Sequence, residues 1–213
     1  RLFNFLKSHG QKKKNANVIV SSVVPKTNNL ISNLFKKNKI SFYNARDLIK
    51  HFDLKTNIKN KKNIGDDRLV NVIYAKELYS KSKIIIDFGT ATTIDILDKD
   101  GVYDGGIITP GIDLSLKSLQ EGTAKLPLVR FRRIKRIVGK STLEAIQSGF
   151  FWGYVSMIQG LIKKIQNEKK NKFQIILTGG NSKYFKGTFT NVIKIDEFFN
   201  SKGLNFLISN YLK

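Results

Sequence analysis

The sequence predicts an α/β fold from three observations. Apolar, β-branched runs such as Asn17–Val24 and Ile84–Ile86 read as buried strands. Stretches such as Lys26–Lys37 and Ser141–Glu168 carry apolar residues at helical spacing. A run of three strands is followed by helices and strands in alternation, the order of an α/β architecture.

Taken in order, Arg1–His9 has helical spacing and Gln11–Asn15 is a polar, basic loop. The strand Asn17–Val24 ends at Pro25, and Leu30, Ile31, Leu34 and Phe35 form the apolar face of the helix that follows. Ile40–Tyr43 is a short strand and Ala45–Asn63 a polar loop. Gly65-Asp66-Asp67-Arg68 opens an amphipathic helix that runs to Tyr79. The three strands are Ile84–Asp87, Thr92–Leu97 and Gly101–Ile108, with Asp98–Gly101 turning between the last two. Ile112–Gln120 is helical, and Pro127–Val138 is a basic connection. Ser141 is an N-cap candidate for the longest helix, in which Gly149, Gly153 and Gly160 permit close packing. Phe150, Phe151 and Trp152 read as core or interface. Phe173–Leu177 and Val192–Ile195 are strands, and Glu197–Tyr211 is the closing helix.

Composition narrows the classes. With 213 residues, 41% hydrophobic and 11% aromatic, the chain can bury a sizeable core. Absence of cysteine excludes disulfide scaffolds, zinc–thiolate sites and cysteine nucleophiles. No apolar run approaches the ~18 residues of a membrane helix and no signal peptide opens the chain, so a soluble, cytoplasmic protein is expected. The charge is +22, from 38 Lys+Arg against 16 Asp+Glu. The lysines are scattered among asparagines with little aromatic interleaving, which argues for a solvated basic surface rather than specific nucleic-acid binding. His9 and His51 read as surface residues.

Four stretches carry candidate chemistry. In Lys83–Thr93 an apolar run, Ile84–Ile86, delivers Asp87 to the end of a strand, where Gly89 and Thr90 turn the backbone; the carboxylate can hold a cation, and the hydroxyls and N–H groups phosphate oxygens. An ordinary hairpin turn accounts for the same residues. Asp67, in a helix's first turn, can take a proton from a substrate hydroxyl, and Arg68 can pair with an anion, although plain capping by Asp66 and Asp67 is the simpler account. Thr142, at the start of the long helix, can cap it or bind an anion. Thr178-Gly179-Gly180-Asn181 is either a simple βα turn or a place for a nucleotide to lie against backbone. Asp95 reads as structural or exposed.

Together these stretches resemble the type III pantothenate kinases. The resemblance runs from Ser21-Ser22-Val23-Val24-Pro25 through Gly65–Arg68, Asp87–Thr93, Gly105–Gly111, Thr123–Pro127, Ser141-Thr142 with Gln147-Ser148-Gly149, and Thr178-Gly179-Gly180, in the family's order. It implies an actin-like ATPase fold of two related lobes, with residues 1–82 the remainder of the first and 83–213 the second. It implies ATP-dependent phosphorylation of pantothenate, the first step of coenzyme A synthesis, by a homodimer. By the match, Asp67 is the general base and Gly65, Asp66, Asp67, Arg68 and Thr142 bind pantothenate. Gly89, Thr90, Gly179 and Gly180 meet ATP, magnesium accompanies the nucleotide, and Asp87 holds a monovalent cation, K+ or NH4+. Two departures stand out. The family's first strand carries an Asp-x-Gly-Asn-Thr phosphate loop, which does not occur here, so the chain is expected to start after it with an incomplete first lobe. A family tyrosine before Gly-x-Asp-Arg is matched here by Ile58. The resemblance also admits a non-catalytic homologue that serves as a ligand-binding or regulatory accessory protein.

Overall fold

The computed structural model describes residues 17–21, 25–37 and 40–213. The expected helix Arg1–His9, the loop Gln11–Asn15 and residues 22–24 of the first strand lie outside them. Two parallel strands, β1 (Asn17–Val20) and β2 (Ser41–Asn44), flank helix α1 (Pro25–Lys37). Proline at the first helical position has the φ a helix needs and no N–H to leave unpaired. The expected loop after β2 instead begins with a short helix, α2 (Ala45–Ile49), and ends in a 3-10 turn, Lys61–Asn63. Asn44 caps α2 by accepting from Arg46 N at 2.9 Å, and burial of Ala45, Leu48 and Ile49 holds it.

Helix α3 (Asp66–Leu78) leads into a five-stranded sheet. The strands are β3 (Lys83–Phe88), β4 (Ala91–Leu97), β5 (Tyr103–Pro110), β6 (Gln174–Thr178) and β7 (Val192–Asp196), in the order β5-β4-β3-β6-β7. β4 runs antiparallel to both neighbours, whereas β6 is parallel to β3 and β7. This mixed sheet, with helices to either side, fits the α/β class expected from the sequence.

The register divides the side chains between two faces. Ile84, Ile86, Phe88, Ile94 and Leu177 enter a core beneath α4 (Ile112–Glu121) and α5 (Thr142–Lys169). Ile85, Leu97 and Ile176 enter a second core with α3 and α6 (Phe199–Tyr211). The α3 contacts cross the expected boundary at residues 82–83. Ser141 caps α5 as its position predicts, accepting from Glu144 N at 3.3 Å. A Cβ on Gly149, Gly153 or Gly160 would meet nothing within 4 Å, so in the single chain these glycines lie on an open face of α5. Phe151 is fully buried, while Phe150 and Trp152 pack partly against the core.

Candidate active site

Alternation along β3 aims Asp87 at the face covered by α3, in line with Thr93 on β4 and Thr178 on β6. Gly89 and Thr90 follow as the hairpin turn, and Gly179 and Gly180 follow β6 at the same end of the sheet. Gly179 has φ +85°, and a Cβ there would collide with Asp87 Oδ1 and the Phe88 backbone, so only glycine fits. Gly89 also lies beside Asp87 Oδ1. Burial pushes the half-buried Asp87 carboxyl up to about 6, against a downward pull from the Asn71 hydrogen bond; the charges of Asp67 and Asp95 add to the rise.

Asp67 stands exposed in the first turn of α3. Its Oδ1 accepts from the adjacent Arg68 N at 2.9 Å, whereas the N-cap itself is Gly65, which offers no side chain. Asp66 turns inward, is 3% exposed and pairs with Arg46, whose Nη2 also donates to Ile64 O at 2.5 Å. Burial raises the Asp66 pKa, and the Arg46 charge opposes that rise. One turn beyond Asp67, the 1%-exposed Asn71 donates through Nδ2 to Asp87 Oδ2 at 2.9 Å. Asn200, on α6, donates to Asp67 O at 2.9 Å and to Asn71 Oδ1 at 3.1 Å. Asp67 and Asp87, separate in the sequence, are thus joined by a short chain of amides.

Arg68 is held by an acid the sequence did not single out for function. Its Nε and Nη2 donate to Asp95 Oδ1 at 2.9 and 2.6 Å. Tyr103 OH donates to the same oxygen at 2.5 Å, and Thr93 Oγ1 to Oδ2 at 3.4 Å. Asp95 is fully buried; burial pushes its pKa up, and these donors pull it back. Gly106 makes the niche, because a Cβ there would strike Arg68 Nη2 and Asp95 Oδ1. Residues 55–58, which include Ile58, are tied to the same strand: Tyr103 N donates to Lys55 O at 2.8 Å and Asn57 N to Tyr103 O at 3.1 Å.

A cavity of about 610 Å³ opens at the glycine-turn end of the sheet. Gly89, Thr90 and Gly180 line it, with Phe131 and Tyr184 as aromatic walls. Lys117, Arg130 and Lys183 make its border mainly cationic, and Asp113, on the same border, accepts from Asn181 Nδ2 at 3.0 Å. A concave site with fixed backbone and several cations suits a polyphosphate.

The sequence-predicted residues therefore fall into three places. Gly65, Asp66, Asp67 and Arg68 sit at the start of α3, Asp87 at the end of β3, and Gly89, Thr90, Gly179 and Gly180 in the turns between Asp87 and the cavity. Thr142 is exposed at the start of α5 and is not among the residues lining the cavity. Asn71 was findable from its helical spacing to Asp67; Asn200 carried no local signal. Around Asp87 the oxygen donors suit a hard monovalent cation. Thr178, its register partner, has a buried hydroxyl without a hydrogen-bond partner. No cluster of three or more His, Cys, Asp or Glu that could hold a metal ion exists among the described residues.

The family profile described as Type III pantothenate kinase matches residues 2–164. A curated type III pantothenate kinase from Persephonella marina is 40% identical over 193 residues, covering 89% of this chain and 73% of the relative. Another, from a Sulfurihydrogenibium species, is 38% identical over 208 residues, covering 95% and 81%. A solved structure of a conserved Campylobacter jejuni protein assigned to the Baf family superposes with a TM-score of 0.63 at 21% identity, covering 100% of this chain and 89% of that one. That structural likeness extends to the fold alone.

Proposed function

The chain belongs to the type III pantothenate kinase family, and from that premise we propose that it transfers the γ-phosphoryl group of ATP to the primary hydroxyl of pantothenate, opening coenzyme A synthesis. The observation that carries this reading is the convergence of Asp67 and Asp87, linked through Asn71 and Asn200 beside the glycine turns. Phosphoryl transfer requires positioning and charge neutralisation more than covalent chemistry by the protein. Asp67, exposed at the mouth of α3, takes the hydroxyl proton as the new P–O bond forms. Gly65 and Arg68 hold the substrate around it, with Asp95 fixing the Arg68 guanidinium, while Asp66, expected from the sequence to bind substrate, is instead buried against Arg46 and holds the turn from behind. Thr142 belongs to the same substrate set. Gly89, Thr90, Gly179 and Gly180 receive the nucleotide, and Lys117, Arg130 and Lys183 face its phosphates from the cavity border. Asp87, with the Thr178 hydroxyl beside it, holds potassium or ammonium, while magnesium travels with ATP; both ions supply charge neutralisation.

The open glycine face of α5 supports a homodimer. No helix among the described residues is long and apolar enough to cross a membrane, and a cytoplasmic site of action goes with coenzyme A synthesis. The test is ATP- and potassium-dependent phosphorylation of pantothenate by the full-length protein. Asp67→Asn is expected to lower kcat by about 10²–10⁴-fold, the usual contribution of a general base, with ATP binding retained. A folded protein with no turnover would overturn the kinase reading in favour of a non-catalytic accessory protein; a near-normal rate for Asp67→Asn would remove Asp67 from the role of base.

A further inference from the structure

We propose that Asn71, held by Asn200, is a positioning residue that sets the Asp87 carboxylate relative to Asp67; the proposal rests on the phosphoryl-transfer reading above. Asp67 O is a carbonyl and only accepts. The Asn200 atom 2.9 Å from it must be the amide nitrogen, Nδ2. The same nitrogen lies 3.1 Å from Asn71, so the Asn71 atom there is the acceptor, Oδ1. Asn71 Nδ2 is left to face Asp87 Oδ2 at 2.9 Å, where an ionised carboxylate accepts it. Both amide orientations follow from the two ends of the chain, and Asn200 uses both of its N–H groups in it.

Packing keeps the arrangement in place. Asn71 is 1% exposed, next to fully buried Val70 and Val72, so water does not readily replace a lost partner. Asn200 follows Phe199, which is 1% exposed and rests on the Tyr74 ring of α3 at 4.8 Å between centroids. The start of α6 is thereby fastened to α3 beside the two acids. Without Asn200 the Asn71 Oδ1 loses its donor, and the amide that meets Asp87 is no longer fixed from behind. The closing helix thus regulates how an acid on β3 meets a cation.

The experiment uses Asn200→Ala and Asn200→Asp in the full-length protein, with Asn71→Ala as the deeper deletion. Asn200→Asp keeps the shape but cannot donate when ionised, which separates donation from packing. Loss of the two Asn200 hydrogen bonds, one exposed and one part-buried, predicts about a 5–10-fold fall in kcat and a similar rise in half-saturating potassium, with the KM values for pantothenate and ATP within about twofold. A second readout needs no turnover. The rise in thermal midpoint on adding potassium chloride with ATP is expected to shrink in both Asn200 variants, while the ligand-free midpoint stays close to wild type. The double variant Asn71→Ala with Asn200→Ala is expected to behave like Asn71→Ala alone, since the two act in one chain. Wild-type potassium response in both Asn200 variants, absence of any potassium shift in the wild-type protein, or additive losses in the double variant would each overturn the proposal. If the wild-type protein shows the potassium shift but phosphorylates no pantothenate, the reaction reading falls while the thermal comparison still decides the role of the amide pair.

Discussion

Asp87 and Asp95 stand on neighbouring strands of one hairpin, on the same face of the sheet, in opposite circumstances. Asp95 is fully buried and receives a guanidinium, a phenol and a hydroxyl. Asp87 is half-buried and, among the described residues, receives one neutral amide, from Asn71. The difference separates two uses of a carboxylate. When the fold itself supplies the counter-charge, the acid is part of the scaffold, and removing one partner leaves the other buried and uncompensated. When the fold desolvates an acid and supplies only a neutral donor, the remaining stabilisation comes from a ligand. Asp87 is therefore the acid to test for cation binding, and Asp95 the acid to test for stability.

The largest effect is expected where the closed pair is broken. Asp95→Asn strips Arg68 of its charge partner and should destabilise the protein by about 3–5 kcal/mol, read from the urea midpoint. A loss below about 1 kcal/mol, the level of an ordinary hydrogen bond, would erase the contrast with Asp87. Asp87→Asn comes next and is expected to do the reverse: unchanged or raised stability, with potassium-dependent turnover down by about 10²-fold, as for removal of one electrostatic contributor. Equal destabilisation by the two substitutions would show that both acids are structural. Tyr103→Phe removes one of the donors to Asp95 and leaves the ion pair, so about 1 kcal/mol is expected in the same denaturation assay.

The smallest effect concerns a third charge on this face. Lys83, on β3 with Asp87, is 1% exposed and donates to Tyr79 O at 2.6 Å and Lys81 O at 2.5 Å. Burial lowers its pKa from 10.5 to about 8. The unfolded chain then holds the proton more tightly, so this group adds stability as pH rises from about 8 towards 10.5 and adds none of that gain below the lower value. Denaturation of wild type and Lys83→Met across that window checks the sign: their stability difference should move in favour of wild type with rising pH. A constant difference would mean that Lys83 stays charged throughout.

Much of this was legible in the residues because backbone and charge constraints are local. The start of α3 follows from Gly65 and two aspartates, the hairpin from the strand pattern around Gly89-Thr90, and the N-cap of α5 from Ser141. Gly179 signalled a turn that no other residue fits at φ +85°. What stayed hidden depends on partners remote in the chain. The helix Ala45–Ile49 exists because three of its residues are buried by elements elsewhere. Asp95 became an ion-pair partner only when α3 brought Arg68 to β4. Gly149, Gly153 and Gly160 advertise close approach, but spacing does not reveal whether anything approaches. Asn200 looks like one polar residue among many until α6 packs on α3.

The basic connection between α4 and α5 is fastened in an unusual currency. Ser148 Oγ and Trp152 Nε1 donate to Arg136 O, at 3.3 Å each, and Gln147 Nε2 donates to Arg130 O at 3.5 Å. Those tethers grip peptide carbonyls, which every amino acid possesses. Arg132 Nε also donates to Gln147 Oε1 at 3.0 Å and Arg133 Nη1 to Lys186 O at 2.6 Å, so two of the segment's cationic side chains share in the fastening, and exchanging either of them loosens the connection as well as changing its charge.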